Sequence, residues 1–226
     1  MSTELNQLGY LPGQTPNTFF GTKTDAGQPY DQAPWFYEGD EGFSIGSSNK
    51  SINSEYHEEA VDWVLISLRK NEDKESEIWK AAALLYSDGS IEMSGTYNAP
   101  TKLSEYFIVI EHRNHLPIMS RTRVPLVNGS ILYDFSAQDS YTSIMGVGQI
   151  RTEDGRYAMV AGNGELVTDL SSDLDINARD LSCWLQINGS NSSYFLEDYD
   201  MNGDVNVNDR LLWEKNNGLF STLTTK

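Results

Sequence analysis

"DYDMNGDVNVND", residues 198–209, sets oxygen-bearing side chains at the first, third, fifth, ninth and twelfth places of a twelve-residue run. A hard divalent cation calls for such a set, because Ca²⁺ is satisfied by six to eight oxygens from a loop coiled tightly around it. Asp198, Asp200, Asn202, Asn206 and Asp209 are the expected side-chain ligands, and the main-chain carbonyl of Asp204 is the expected ligand at the seventh place. Gly203 stands sixth, where the loop turns most sharply and a left-handed backbone costs glycine little. An acidic surface turn uses the same residue types. The spacing, followed by the apolar "LLW" of 211–213, favours calcium.

Twenty-nine residues upstream the pattern recurs in "DLSSDLDINARD", residues 169–180. Asp169, Ser171, Asp173, Asp175, Asn177 and Asp180 fall at the places of Asp198, Asp200, Asn202, Asp204, Asn206 and Asp209. The register continues past the loops: Trp184 matches Trp213, Asn188 matches Asn217 and Gly189 matches Gly218. Each loop is therefore expected to run into a helix of about two turns that stops at Asn-Gly. One such unit cannot bury its own apolar face, so Leu181, Trp184 and Leu185 are expected to pack against Leu211, Leu212 and Trp213.

This tandem resembles a dockerin type I module, in which two calcium loops are each followed by one helix. As in that family, the twelfth place is Asp (Asp180, Asp209) where an EF-hand has Glu. Two positions depart from it. Leu174 replaces the glycine at the sixth place of the first loop, and the tenth and eleventh places, which read the cohesin partner in that family, are Ala178-Arg179 and Val207-Asn208. The resemblance implies calcium binding and the loop-helix fold, and does not extend to cohesin pairing.

The formal charge of −17, from 33 acids and 16 bases, argues against nucleic acid and anionic membranes as partners, since phosphate binding needs a basic footprint. Cys183 is the single cysteine, so no intrachain disulfide forms, and a buried, inert thiol is expected. No run approaches the length of a membrane span, and "MSTELNQLGY" is no signal peptide, so the chain reads as a part of a larger multidomain protein.

From residue 61 the chain reads as strands: "VDWVLISLRK" is apolar on both faces, and "AAALLYSDGSIEM" forms two strands turning at Asp88-Gly89. "EYFIVIEHR", "HLPIMS", "TRVPLV" and "SILYDF" continue the series at the spacing of a β-sandwich. "HRNHLPIMS", with "VDWVLISLR", "AALLYSDGSI" and "YAMVAGN", is similar to a stretch near the C-terminal end of very large secreted or surface proteins of Gram-negative bacteria, described as hemagglutinin-like or dockerin-containing. That similarity implies a surface or matrix role.

Other patterns carry weaker chemistry. "PYDQAPWFYEGDEGF", residues 29–43, sets Tyr30, Trp35, Phe36, Tyr37 and Phe43 beside Glu38, Asp40 and Glu41, a combination that stacks on sugars in some proteins and covers a core in more. "GFSIG", residues 42–46, matches the hydrolase serine elbow at Ser44 without the strand-to-helix context it needs. His112 and His115 of "EHRNH" point to opposite faces of a strand unless a turn intervenes, so hydrogen-bonding roles are favoured over zinc.

The expected architecture is mainly β: a β-sandwich over 1–150 followed by a small α-helical, dockerin-like calcium module over 151–226. The expected function is that of a non-catalytic calcium-binding interaction module, secreted or at the cell surface, acting in adhesion or attachment to a protein or glycan ligand. A carbohydrate-binding module using 30–43 is the second reading and a hydrolase the last.

Overall fold

The computed structural model describes residues 1–14, 27–39, 41, 56–92, 104–127, 130–142, 146–164 and 174–223. A short helix, α1 (Glu4–Gln7), precedes the strands β1 (Ala60–Arg69), β2 (Glu77–Tyr86), β3 (Ile91–Glu92), β4 (Glu105–His112), β5 (His115–Met119), β6 (Val124–Val127) and β7 (Ser130–Ile131). A two-stranded ribbon follows, β8 (Ile150–Arg151) with β9 (Tyr157–Ala158), and the helices α2 (Ala178–Ile187) and α3 (Val207–Asn216) close the chain.

The first seven strands form one antiparallel sheet in the order β3-β2-β1-β4-β6-β7, with β5 also paired to β4. β1 lies at its centre, and its two apolar registers bury both faces. Val64 and Leu68 join Tyr106, Ile108, Ile110, Ile118 and Val124 on one side, where Tyr133, Phe135 and Met159 pack from outside. Trp63 and Leu65 join Ala82 on the other, under Tyr30, Trp35 and Tyr37. The expected turn at Asp88-Gly89 joins β2 to β3, with Gly89 left-handed at φ 90. This is the mainly β class expected, and a sheet covered on both faces is consistent with a sandwich. Among the described residues Tyr133, Phe135 and Met159 cover the first of these faces, and the other sheet is the two-stranded β8–β9 ribbon rather than a second large sheet.

Two irregularities sit at one end of the sheet, between Ala60 and Asp62 in β1 and between Ile110 and His112 in β4. Bulges re-aim the side chains beside them. Here Asp62 and His112 meet, both buried, with the His112 Nε2 3.1 Å from an Asp62 carboxylate oxygen. The tight turn Arg113-Asn114 then brings His112 and His115 together edge-on, their Nδ1 atoms 2.9 Å apart. The histidines thus take the hydrogen-bonding roles that their place at a strand end favours.

The two helices are longer than the two turns expected, ten residues each. Both stop where Asn-Gly was expected to stop them, with Gly189 and Gly218 left-handed at φ 93 and 89. Their apolar faces do not form a core of their own. Trp184, Trp213, Ile176 and Val205 bury in one cluster with Leu116 of β5 and with Val160 and Ala161, so the helical end and the sheet end share packing.

Candidate metal centre

The loop 198–209 is shaped by main-chain amides that bond to its own carboxylates. Asp198, fully buried, accepts from the amides of Asn202 at 3.0 Å and Gly203 at 2.8 Å, which folds the first half of the loop back on its start. Met201 and Gly203 take left-handed φ values of 61 and 87 to make that turn. Asp209, also fully buried, reaches back from the first turn of α3. One oxygen accepts from Tyr199 at 2.7 Å and Asp200 at 3.2 Å, and the other from Asn206 at 2.8 Å. Asn206 caps α3 by accepting from Asn208 at 2.8 Å, and with Asp209 completes a reciprocal capping box.

Asp198, Asp200 and Asp209 each present a carboxylate oxygen, and these oxygens lie within 4.8 Å of one another. Asn202 turns its side-chain oxygen to the amide of Asp204 at 2.9 Å. The Asp204 carboxylate accepts from Ser192 outside the loop at 3.2 Å, so its side chain is engaged away from the cluster. The Asp200 Oδ1 is enclosed and has no hydrogen-bond partner.

Three carboxylates brought this close resist ionisation. Burial, opposed by Arg113 and the loop amides, pushes Asp198 up to about 7, and burial with Asp209 alongside raises Asp200 to about 6. Burial raises Asp209 as well. A divalent cation among them would reverse that cost and supply the partner that the Asp200 oxygen lacks. The donor set is all oxygen, which suits Ca²⁺ over thiophilic metals.

Of the first loop, Asp169, Ser171 and Asp173 lie outside the described residues. Asp175, Asn177 and Asp180 are described, and they reproduce the start of the second helix. Asn177 and Asn206 share φ −144 and ψ −167, and Asp180 closes the capping box of α2 as Asp209 does that of α3. The halves are tied reciprocally: Trp184 donates its indole N–H to the Asn206 carbonyl at 3.1 Å, and Trp213 donates to that of Asn177 at 2.9 Å. Val205 exchanges main-chain bonds with Gly189 and Ser190, and Ile176 does so with Gly218 and Leu219. The halves differ at the twelfth place, where the Asp180 Oδ1 accepts from Gly164, upstream of its loop, at 2.7 Å.

The aromatic stretch faces the sheet. Tyr30 is fully buried and donates to the Trp63 carbonyl at 2.7 Å, and Trp35 meets Tyr30 edge-on with ring centroids 5.0 Å apart. The Tyr37 hydroxyl bonds to Glu41 at 2.5 Å, while Phe36 and Glu38 are exposed. Asp40, Phe43 and Ser44 lie outside the described residues.

One group escaped the sequence reading. Asp62 is fully buried and takes Arg113 at 3.0 Å, His112 at 3.1 Å and the Tyr194 hydroxyl at 2.5 Å. Burial alone would raise this carboxyl, but Arg113 and the His112 and Tyr194 hydrogen bonds hold it well below the usual range. Arg113 also bonds to the Phe195 carbonyl and lies over the Tyr194 ring, 4.3 Å from its centroid. The signal was present as a lone acid inside the apolar "VDWVL".

No protein-family model matches the chain, and no characterised protein matches it. Among solved structures the chain is similar to a C-terminal interface mutant and an N-terminal interface mutant of a type II cohesin-X-dockerin complex from Acetivibrio cellulolyticus. Each shares 15% identity at a TM-score of 0.37, over 70% of this chain and 83% of that chain. Likeness at that level does not define a shared fold, and the function rests on the residues.

Proposed function

We propose that the chain is a non-catalytic interaction module stabilised by calcium, with 198–209 as its principal metal loop in a dockerin-like tandem. The observation that carries this reading is the convergence of Asp198, Asp200 and Asp209, each with a carboxylate oxygen within 4.8 Å of the others, together with an enclosed Asp200 oxygen that has no partner. Asp198, Asp200 and Asp209 would hold the ion through carboxylates, with Asn202 and Asn206 beside them and the Asp204 carbonyl at the seventh place. The ion would neutralise the crowded charge and fix the start of α3. The first loop, with Asp169, Ser171, Asp173, Asp175, Asn177 and Asp180, is the second and weaker site of the proposal.

A protein partner is favoured over a glycan. On α3, Val207 and Leu211 stand four residues apart on one face and are 61% and 56% exposed, an apolar stripe beside the metal loop. Tyr30, Trp35 and Tyr37, the rings a sugar site would need, pack on the sheet. No helix among the described residues is long and apolar enough to cross a membrane. The acidic charge and the resemblance to large surface proteins support attachment outside the cell, where calcium is abundant.

Isothermal titration of the EDTA-stripped chain tests the metal assignment. Calcium should give saturable heat, the tighter event should vanish in Asp198→Asn, and absence of heat in the wild type would remove the assignment. A glycan array run with calcium should retain no sugar; specific retention abolished by Trp35→Ala would restore the carbohydrate reading.

A further inference from the structure

We infer that the calcium loop is built by three separate parts of the chain, and that Asn114, at the turn between β4 and β5, and Tyr10, behind α1, are positioning residues through which the metal fastens the sheet and the N-terminal segment. This rests on the reading of 198–209 as a calcium loop and adds to it residues that the loop itself does not contain.

Asn114 is fully buried and donates its side-chain N–H to the main-chain carbonyl of Asp198, the first residue of the loop, at 2.7 Å. Its own carbonyl accepts from the amides of Gly162 and Asn163, both at 3.1 Å, so it is held from the opposite side. Next to it Arg113 binds the Phe195 carbonyl, three residues before the loop. Asp62 of β1 then receives both Arg113 and Tyr194. A displacement of Asp198 is therefore felt by β1, the central strand, at its Asp62 end, through buried hydrogen bonds. Such bonds leave an orphaned group when broken, so the connection is stiff.

Tyr10 holds the loop from the other side. Its ring lies where a side chain on Gly203 would stand, 2.4 Å from an ideal Cβ, so ring and backbone are in direct contact at the sharpest point of the turn. Behind it, Leu5 and Leu11 bury with Ala60, Tyr194 and Leu196, joining the N-terminal segment to the same strand end and to the chain that leads into the loop. A loop held at its first and sixth places needs little reordering when the ion arrives, and pre-organisation of that kind raises affinity.

Hydrogen exchange of the wild-type chain, stripped with EDTA and then saturated with calcium, tests this directly. Calcium should slow exchange in peptides covering 105–119 and 1–14 as well as in those covering 189–213. Asn114→Ala and Tyr10→Ala should weaken calcium binding by roughly tenfold and severalfold by titration, the size expected for one buried hydrogen bond and for lost pre-organisation. The exchange result stands by itself if Asn114→Ala does not fold. Protection confined to 189–213 in a wild type that does bind calcium would overturn this inference and leave the metal loop intact. Absence of calcium heat in the wild type would remove the loop, and this inference with it.

Discussion

Gly203 shows how much a single residue carries. Its φ of 87 is a region that other residues enter at a cost of about 1–2 kcal/mol, and a Cβ there would also strike the Tyr10 ring. Gly189 has φ 93 with nothing within 4 Å of its missing Cβ, so it isolates the backbone cost alone. Urea unfolding should therefore show Gly189→Ala losing about 1 kcal/mol and Gly203→Ala clearly more, with weaker calcium binding only in the latter. Equal losses would mean that the Tyr10 contact is of no consequence. Glu111 supplies a second residue-level test, through pH. Burial pushes its carboxyl up to about 7, against Lys80 and Arg69, which pull it down. A raised carboxyl favours folding in full below its unfolded value, near 4.5, and that contribution is lost as pH rises through 7. Glu111→Gln carries no such loss, so its stability relative to wild type should increase between pH 4.5 and pH 8, by an amount on the order of 1–3 kcal/mol. A difference independent of pH would contradict the burial of that charge. At this scale the left-handed Gly203 was legible, because the calcium-loop pattern read in the sequence expects a glycine at its sixth place. Asn114 was not, because nothing in "HRNH" announces a bond to a carbonyl 84 residues away.

Elements repeat more faithfully than their residues do. The capping Asn177 and Asn206 have the same backbone angles although the helices behind them share few side chains, because the box needs only a short acceptor at the cap and a carboxylate three residues on. The Asn-Gly stops and the hairpin at Asp88-Gly89 were readable because each is a local rule, whereas the sequence marks Asn177 and Asn206 only as metal ligands and not as caps. The reciprocal indole bonds were not readable either, since pairing of the two tryptophans in register says nothing of which carbonyl each will find. Trp184→Phe and Trp213→Phe should each cost about 1–2 kcal/mol in urea unfolding, in matching amounts, as each removes one hydrogen bond and part of a buried ring. A marked inequality would show that the two halves do not carry each other symmetrically. The stretch 29–39 is a cover element: Trp35 touches two apolar clusters and meets Tyr30. Trp35→Ala should accordingly lower stability by about 3 kcal/mol, where a ring kept free for sugar would leave it nearly unchanged.

Across the whole molecule, the strand series and the repeated helices were each visible in the sequence, but how they join was not. Periodicity places Val64, Leu68 and Trp184 inside without saying inside what. Leu116, Val160 and Ala161 pack with Ile176 and both tryptophans, and the buried Asp62 links β1 to Arg113 and Tyr194, so the helical end and the sheet are packed together at that end. The most direct test of the account is the melting temperature of the wild-type chain by calorimetry in EDTA and again in excess calcium. A ligand that binds only the folded state at a hundredfold excess over Kd adds about 2.7 kcal/mol. For a chain of this length that is an upward shift of roughly 5–10 °C, carried by the main transition because loop and sheet share their core. An unchanged melting temperature would contradict the calcium loop at 198–209 and the function built on it.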